Sequence, residues 1–480
     1  MLVAHSFKGQ TIAIFGLGRT GLSAAKSLHK GGATVLAWDD SEKSRVAAVA
    51  NGVAVKDLRE ADWSKIDALL LSPGIPHDQP KAHWSAQKAK AAGVRIICDI
   101  EIFAQEVASR APDQRPKVIA ITGTNGKSTT TALIGHILIE AGKDAQIGGN
   151  IGRGVLDLNE IHRGGYYVLE LSSYQLERTY SLKADVAVLL NLSPDHLDRH
   201  GDMAGYETAK RRIFHNQSDA DTIVIGVDDR HGKRICTELM AQNGRSIIPV
   251  SGQRSLGRGA CAIKSKLYCV MGRSVEEIAD LRQATTLEGT HNWQNAAAAY
   301  AATKSVGVKI KDIGQALLNF PGLAHRMETI GAVGPVRFVN DSKGTNADAT
   351  RQALKAYKNV YWIAGGVSKE GGIEDLVSDM GGVKRAYLIG SAADDFASTL
   401  AREKISHKIA GTLKQAIICA TRDAINSRQP DPVILLSPAC ASFDQFKNFE
   451  VRGDVFRAQV EDIMALFEAE KTRLKDIRAA

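Results

Sequence analysis

Three times along this 480-residue chain an apolar, strand-like run ends directly in a loop of glycines and hydroxyls that opens a helical pattern. Thr11–Phe15 enters Gly16-Leu17-Gly18-Arg19-Thr20-Gly21. Val118–Ile121 enters Thr122-Gly123-Thr124-Asn125-Gly126-Lys127-Ser128-Thr129. Val336–Val339 enters Asn340-Asp341-Ser342-Lys343-Gly344-Thr345-Asn346. Strand–loop–helix units of this kind build parallel sheets with crossover helices, so the chain is read as α/β. Further apolar runs at Ala33–Trp38, Ala68–Leu71, Tyr166–Leu171, Val186–Asn191, Thr222–Ile225, Val360–Ala364, Ala386–Ile389 and Val433–Leu436 supply later strands. Short β structure is expected within Ser251–Val270 and a helix over His291–Thr303. The polar segment Ser109–Lys117, with Pro112 and Pro116, reads as a linker, and Asn319-Phe320-Pro321-Gly322 as a second boundary.

Composition narrows the function classes. At 44% hydrophobic and 24% charged residues the chain is neither disordered nor collagen-like. Sixty-one Lys and Arg against 53 Asp and Glu leave a net charge of +8, which suits anionic ligands. No Lys/Arg block or basic–aromatic ladder appears, so nucleic acid is not expected. The six cysteines form no CxxC pair, which argues against a zinc site and for a reducing, cytoplasmic setting. Met1–Gln10 holds no apolar signal core, and no run reaches the roughly 18 apolar residues of a membrane span.

The loops carry the chemistry. In the first, Gly16, Gly18 and Gly21 permit a tight turn and close approach of backbone N–H groups to phosphate, beside a helix N-terminus with Arg19 and Thr20. Asp39 and Asp40 end the next strand, where a carboxylate meets a ribose or base. The alternative is a glycine turn used only for helix–strand packing. The second loop is stronger. Its amides at Gly123, Thr124, Asn125 and Gly126 can cradle phosphate oxygens, Lys127 can neutralise charge there, and Ser128 or Thr129 can face Mg²⁺. Its spacing, GxxGKS, departs from the usual GxxxxGK[ST]. Glu170, at a strand end near this loop, is placed to hold Mg²⁺, or is a surface strand-end carboxylate. His196, in Asn191-Leu192-Ser193-Pro194-Asp195-His196-Leu197-Asp198, is a further candidate. Lys210, on the helical stretch Tyr206–Asn216, would ordinarily be a solvated lysine. Asn340–Asn346 and Leu436–Asp444 each follow a strand, and each suits a carboxylate ligand or a simple helix cap.

The motifs TGTNGKST, ELSSYQLE, NLSPDHLDRH, GTHNWQN, AHR, NDSKGTN and LLSPACASFDQF occur in that order. The set resembles the Mur ligase family over essentially the whole chain. Its last two motifs resemble the branch that adds D-glutamate to UDP-N-acetylmuramoyl-L-alanine. The resemblance implies three domains: an N-terminal Rossmann-like domain for the UDP-substrate (1–112), a central P-loop ATPase-like domain (113–322) and a C-terminal Rossmann-like domain for the amino acid (323–480). It implies that Gly16, Gly18, Arg19, Thr20, Asp39, Ser72, Pro73, Gly74 and Asn150 bind the UDP-substrate. Lys127 would contact the ATP phosphates, with Ser128 and Glu170 on a first Mg²⁺ and His196 on a second. Lys210 matches a lysine carbamylated by CO₂ in the family; as a carbamate it would offer an anionic oxygen to metal. Asn292, Asn295, Arg326 and Asp341 would contact ATP, the last two closing from the third domain with His325. Lys343, Thr345, Lys369, Ser442 and Phe449 would hold D-glutamate.

The activity so implied is an ATP-dependent amide ligase of peptidoglycan precursor synthesis, acting through an acyl phosphate. A cytoplasmic monomer with small-molecule partners and no membrane span is expected. Rival readings are another ligase of the family, an NAD-dependent dehydrogenase or P-loop switch, and an interaction protein. The chain also looks tens of residues longer than expected for its branch, with the surplus placed within Asp228–Arg258 and Ser109–Lys117.

Overall fold

The computed structural model describes residues 1–242, 244–368 and 371–479, with side chains through 472. The chain divides into two compact units. One comprises Met1–Ala284 and Thr290–Phe320, the other Thr285–Gly289 and Pro321–Ala480.

The first unit holds two sheets. Strands β1 (Thr11–Phe15), β2 (Thr34–Trp38), β3 (Ala68–Leu71) and β4 (Arg95–Ile97) form a parallel sheet in the order β2-β1-β3-β4. The order reverses direction at β1/β3, so the loops after these strands meet at the sheet's C-terminal edge, where open α/β sheets bind ligands. The second sheet contains β5 (Lys117–Thr122), β6 (Ala145–Gly149), β7 (Tyr166–Glu170), β8 (Val186–Leu189), β9 (Thr222–Gly226), β10 (Ser246–Ser251), β11 (Arg258–Ile263), β12 (Lys266–Met271) and β13 (Ser274–Asp280). Its order is β13-β12-β11-β10-β9-β8-β5-β7-β6, parallel except for the hairpins at β11–β12 and β12–β13. Here β5 lies between β7 and β8, with Ile121 beside Glu170 and Thr122 beside Leu189. That register sets the second glycine loop between Glu170, at the end of β7, and the segment leading from β8 to Asn191.

Burial explains the helices that carry this loop. Helix Lys127–Glu140 has no single apolar stripe because it is enclosed on several sides. Gly135 makes room there for Ile147: a Cβ would stand 2.2 Å from Ile147 Cδ1, so that side chain would have to move. Helix Thr290–Ser305 packs against it and against the sheet, so its run Ala296–Ala299 is fully buried. One apolar core runs through both sheets of the unit, from Leu2 and Ile14 through Phe103 to Tyr167 and Leu189. Helix Asp99–Ala108 fastens it, since Glu101 accepts from the Tyr180 and Ser181 amides at 2.7 and 2.9 Å.

The second unit holds β14 (Glu328–Val333), β15 (Val336–Asn340), β16 (Val360–Gly365), β17 (Val383–Ile389), β18 (His407–Gly411) and β19 (Val433–Leu436). Their order is β14-β15-β19-β16-β17-β18, with only β14 antiparallel to its neighbour. The loops after β15, β19 and β16 therefore lie side by side.

The expected strands are present with boundaries within about three residues. The helix expected over Tyr206–Asn216 is instead Met203–Arg211, tightening into a 3₁₀ turn at Arg212–Phe214. Sequence patterning passed over β4, β6, β10, β13, β14 and β18. All but β10 are sheet edges, β6 is also glycine-rich, and β10 carries Pro249, a residue that usually argues against an interior strand.

Candidate functional site

In the first sheet, the glycine loop divides by role. Gly21 serves packing, because a Cβ there would meet Gly16 O at 1.9 Å. Gly16, in the left-handed region at φ +97°, lies against the loop after β3, with Ser72 Oγ 2.5 Å from its ideal Cβ. Gly18, at the cap of helix Arg19–Lys30, has nothing within 4 Å of that position. No internal contact requires Gly18, so its open face fits the approach of a ligand phosphate. Asp39 braces the turn: Leu17 N donates to it at 2.7 Å and Ser41 N at 2.8 Å. Ser72 Oγ donates to Gly16 O at 2.9 Å, tying the Ser72-Pro73-Gly74 loop to the glycine turn.

In the second sheet the structure brings together Thr122–Thr129, Asn150, Glu170, Asn191 and Lys210. Gly126, at φ +82°, must lack a side chain, since a Cβ would stand 2.3 Å from Asn295 Oδ1. Asn295 in turn donates to Asn292 Oδ1 at 3.1 Å, so the expected asparagine pair sits against the loop. Asn191, which the sequence offered only as part of a motif, holds the loop through Asn125: Asn125 N donates to its Oδ1 at 2.8 Å. Lys127 Nζ donates to Gly123 O at 2.9 Å and Thr124 O at 2.8 Å, which places its charge over the loop. Ser128 and Thr129 lie in the first turn of the following helix, Ser128 buried.

Glu170 is buried, and Asn150 Nδ2 donates to its Oε1 at 2.8 Å. Lys210 is 2% exposed. Its Nζ donates to Gly123 O at 2.8 Å and Thr122 Oγ1 at 3.3 Å. Burial and the Lys127 charge hold the amine well below the usual lysine range, against the opposing pull of Asp195 and Glu170. His196 caps the short helix Leu197–His200 in the left-handed region at φ 54°, a strained position for a non-glycine residue. Tyr174 OH and His196 Nδ1 share a hydrogen bond of 2.9 Å.

The hydroxyl of Ser128 and the carboxylate of Glu170 are hard oxygen donors and suit Mg²⁺. Among the described residues no group of three or more His, Cys, Asp or Glu side chains is arranged to hold a metal by itself. Mg²⁺ is ordinarily held by one or two protein oxygens plus phosphates and water, so the residues present fit it.

The second unit gathers the remaining candidates. Lys343 Nζ stands 4.9 Å from the centre of the Phe449 ring. Ser442 is buried, and its neighbour Ala441 pairs with Val367 in both directions at 2.9 and 3.1 Å. Thr345 follows the tight turn Asp341–Gly344, closed by Gly344 N donating to Asp341 O at 2.8 Å. Lys369 lies outside the described residues. Arg326 and Asp341 also belong to this unit. Arg452 went unassigned from sequence; buried, it donates to Ser342 O at 2.8 Å and Cys440 O at 3.2 Å, clamping the two loops together.

Asp341 accepts from Ser437 Oγ at 2.7 Å and Met327 N at 3.3 Å. Burial nonetheless pushes its carboxyl up to about 7. The folded chain therefore holds this proton between about pH 4 and 7 where the unfolded chain releases it, and that stabilisation is full below about pH 4 and lost as pH rises through 7. Asp341→Asn removes the titration. The difference in unfolding free energy between about pH 5 and about pH 8 is expected to shrink by about 1–3 kcal/mol in the variant, measured by denaturant unfolding. An equal difference in both proteins would refute the assignment.

Three family models cover the chain: the MurD-like N-terminal domain of Mur ligases at residues 10–98, the Mur ligase middle domain at 121–303, and the Mur ligase glutamate ligase domain at 325–440. A UDP-N-acetylmuramoylalanine–D-glutamate ligase of Caulobacter vibrioides is 56% identical over 465 residues, 97% of this chain and 98% of the relative. This chain belongs to the Mur ligase family. The corresponding Phenylobacterium zucineum protein is 54% identical over 96% of the chain and 98% of its own length. These relatives share the chain's length almost entirely, so the surplus of tens of residues expected from the sequence does not appear against them. Among solved structures, the UDP-N-acetylmuramate-alanine ligase MurC of Thermotoga maritima aligns over 94% of this chain and 99% of its own at TM-score 0.57 and 17% identity. MurF of Acinetobacter baumannii aligns over 97% and 93% at TM-score 0.57 and 19% identity. At these identities the likeness establishes the fold, the three-domain α/β architecture of Mur ligases.

Proposed function

We propose that this chain joins D-glutamate to UDP-N-acetylmuramoyl-L-alanine, with ATP converted to ADP and phosphate, as a cytoplasmic step in peptidoglycan precursor synthesis. The observation that carries the reading is identity of 56% to a D-glutamate ligase across nearly the full length of both chains. The loop geometry is consistent with it. The dehydrogenase and switch alternatives leave the polar strand ends of the second unit without a role.

A carboxylate resists amine attack because its leaving group is oxide. Transfer of the terminal phosphoryl group of ATP to the L-alanyl carboxylate creates an acyl phosphate with a competent leaving group. The amine of D-glutamate then attacks the carbonyl carbon, and phosphate leaves as the tetrahedral intermediate collapses. In this reading the amides of Gly123–Gly126 cradle the nucleotide phosphates, and Lys127 neutralises the transferring group. Asn292 and Asn295 hold the nucleotide, with Arg326 and Asp341 also contacting it. Ser128 and Glu170 hold Mg²⁺, which supplies charge neutralisation. Asn150 and His196 orient the acceptor carboxylate. Lys210, as a carbamate, contributes an anionic oxygen. Gly16, Gly18, Arg19, Thr20, Asp39 and Ser72–Gly74 take the UDP portion. Lys343, Thr345, Lys369, Ser442 and Phe449 take D-glutamate. A monomer is the proposed assembly, checked by light scattering.

Phosphate release from Mg·ATP with UDP-N-acetylmuramoyl-L-alanine tests the reaction. Release is expected with D-glutamate and not with L-glutamate or without amino acid. Release with a different amino acid would overturn the branch, and no release under any mixture would overturn the ligase reading. Glu170→Gln keeps the shape and Asn150's acceptor but removes an anionic oxygen. It is expected to lower kcat about 10²-fold and to raise the Mg²⁺ needed for half-maximal rate several-fold. A Mg²⁺ dependence equal to the parent's would remove Glu170 from the metal.

A further inference from the structure

Arg178 follows the short helix Ser173–Leu176 of the second sheet's domain, and its side chain is 0% exposed. Its guanidinium donates into one loop of the first sheet. Nη1 donates to Leu71 O at 2.9 Å and to Ser72 O at 3.0 Å. Nη2 donates to Ile75 O, and Nε to His77 Nδ1 at 3.3 Å. Among the described residues no carboxylate lies within ion-pair distance of it. A buried cation without a counter-ion is costly unless its donors are used, and here three backbone carbonyls and the His77 ring nitrogen take four of its five N–H groups.

The loop so held is the wall of the glycine turn. Ser72 N donates to Phe15 O at 3.0 Å, Ser72 Oγ donates to Gly16 O at 2.9 Å, and Ile75 Cδ1 would stand 2.9 Å from a Cβ on Gly16. A second tie reaches the same loop: Arg199 Nη2 donates to His77 Nδ1 at 2.8 Å and pairs with Glu177 at 3.4 Å. Glu177 in turn pairs with His200 at 2.8 Å. His77 accepts from both arginines, which requires its neutral form; burial and the neighbouring Arg178 charge push its pKa down to about 4.

We propose that Arg178 is a positioning residue for the UDP-substrate: from the central domain it fixes the carbonyls of Leu71, Ser72 and Ile75, so that the loop's remaining face stays formed beside Gly16 and Gly18. The inference rests on the reading of Gly16–Thr20 and Ser72–Gly74 as the UDP site. Arg178 touches no expected reacting atom, and its effect is exerted through the loop.

The test separates KM values. Arg178→Met removes the arginine's donors from three carbonyls, of which Ser72 O keeps Ile75 N, and is expected to raise KM for UDP-N-acetylmuramoyl-L-alanine about tenfold or more, with KM for ATP and D-glutamate within about twofold. Arg178→Lys, which keeps the charge but not the planar fork, is expected to fall between the two and covers the case in which the Met variant does not fold. Guanidinium ion at low millimolar concentration is expected to lower the raised KM of Arg178→Ala, and sodium at equal ionic strength is not. A KM for the UDP-substrate unchanged in both variants, or a parallel rise for all three substrates, overturns the proposal. Calorimetric titration with UDP keeps the two ideas apart. No heat from the parent protein sinks the site reading itself, whereas binding by the parent that is undiminished in Arg178→Met sinks only the role of Arg178.

Discussion

Lys127→Met is expected to lower kcat about 10³-fold or more while leaving KM for the UDP-substrate within a few-fold of the parent. The expectation follows from where the charge sits. Lys127 opens a helix whose cap, Gly126, is in the left-handed region, and its ammonium bonds back to Gly123 O and Thr124 O across the loop. These two carbonyls are replaceable partners, so the lysine can turn to phosphate oxygens without leaving a buried charge unpaired. Methionine fills similar volume and keeps the helix, so the loss reports charge. Glycine conformations in the loop are set by Gly123 and Gly126 and by Asn191 and Asn295, none of which the variant touches. Steady-state phosphate release under saturating ATP is the measurement, with UDP titration as the check on folding. A kcat within tenfold of the parent would mean that the loop binds nucleotide by its amides alone.

The difference between this lysine and the others shows what the sequence made legible. Lys127 was readable because every part of its signal is local: a β-strand, spaced glycines, a lysine and a helix start within about a dozen residues. Glu170 was half-readable, as a carboxylate at a strand end. The register that sets it beside Ile121, one residue before the loop, depends on pairing with a strand about fifty residues earlier. Lys210 was readable only through resemblance, because a lysine on a helix is ordinarily solvated. Its burial arises from the approach of Thr122 and Gly123, 88 and 87 residues away. Arg178 left no local mark at all. No spacing or motif singles out Arg178, and only the arrival of Leu71 to His77 encloses it. Asp341 was placed correctly at a strand end, yet its raised pKa depends on burial in the packed unit, against the opposing hydrogen bond from Ser437, 96 residues distant. Strand-end position is local information, whereas burial and titration are properties of the packed chain.

Lys210→Arg is expected to lower kcat about 10³-fold or more and to abolish any response to bicarbonate. The parent amine is enclosed, and burial with the Lys127 charge shifts it toward its neutral form. A neutral amine carries the lone pair that adds to CO₂: the N–C bond forms, one C–O π pair moves onto oxygen, and a proton leaves nitrogen for solvent. The product is anionic, so a site holding the cation of Lys127 gains an oxygen ligand where it had a competing amine. Arginine matches the length and donor capacity toward Gly123 O and Thr122 Oγ1, but it stays protonated and cannot form the carbamate. Loss in the arginine variant therefore separates the anionic role from a plain hydrogen-bonding one. The parent rate is expected to fall in CO₂-depleted buffer and recover with bicarbonate. The recovery should weaken as pH falls through the depressed pKa of Lys210, because protonation removes the lone pair. ¹³C-bicarbonate should give a carbonyl signal in the parent that Lys210→Arg lacks. If the arginine variant keeps kcat within tenfold, or the parent shows neither signal nor bicarbonate dependence, Lys210 acts as the hydrogen-bond donor that braces Gly123 and the carbamate is excluded.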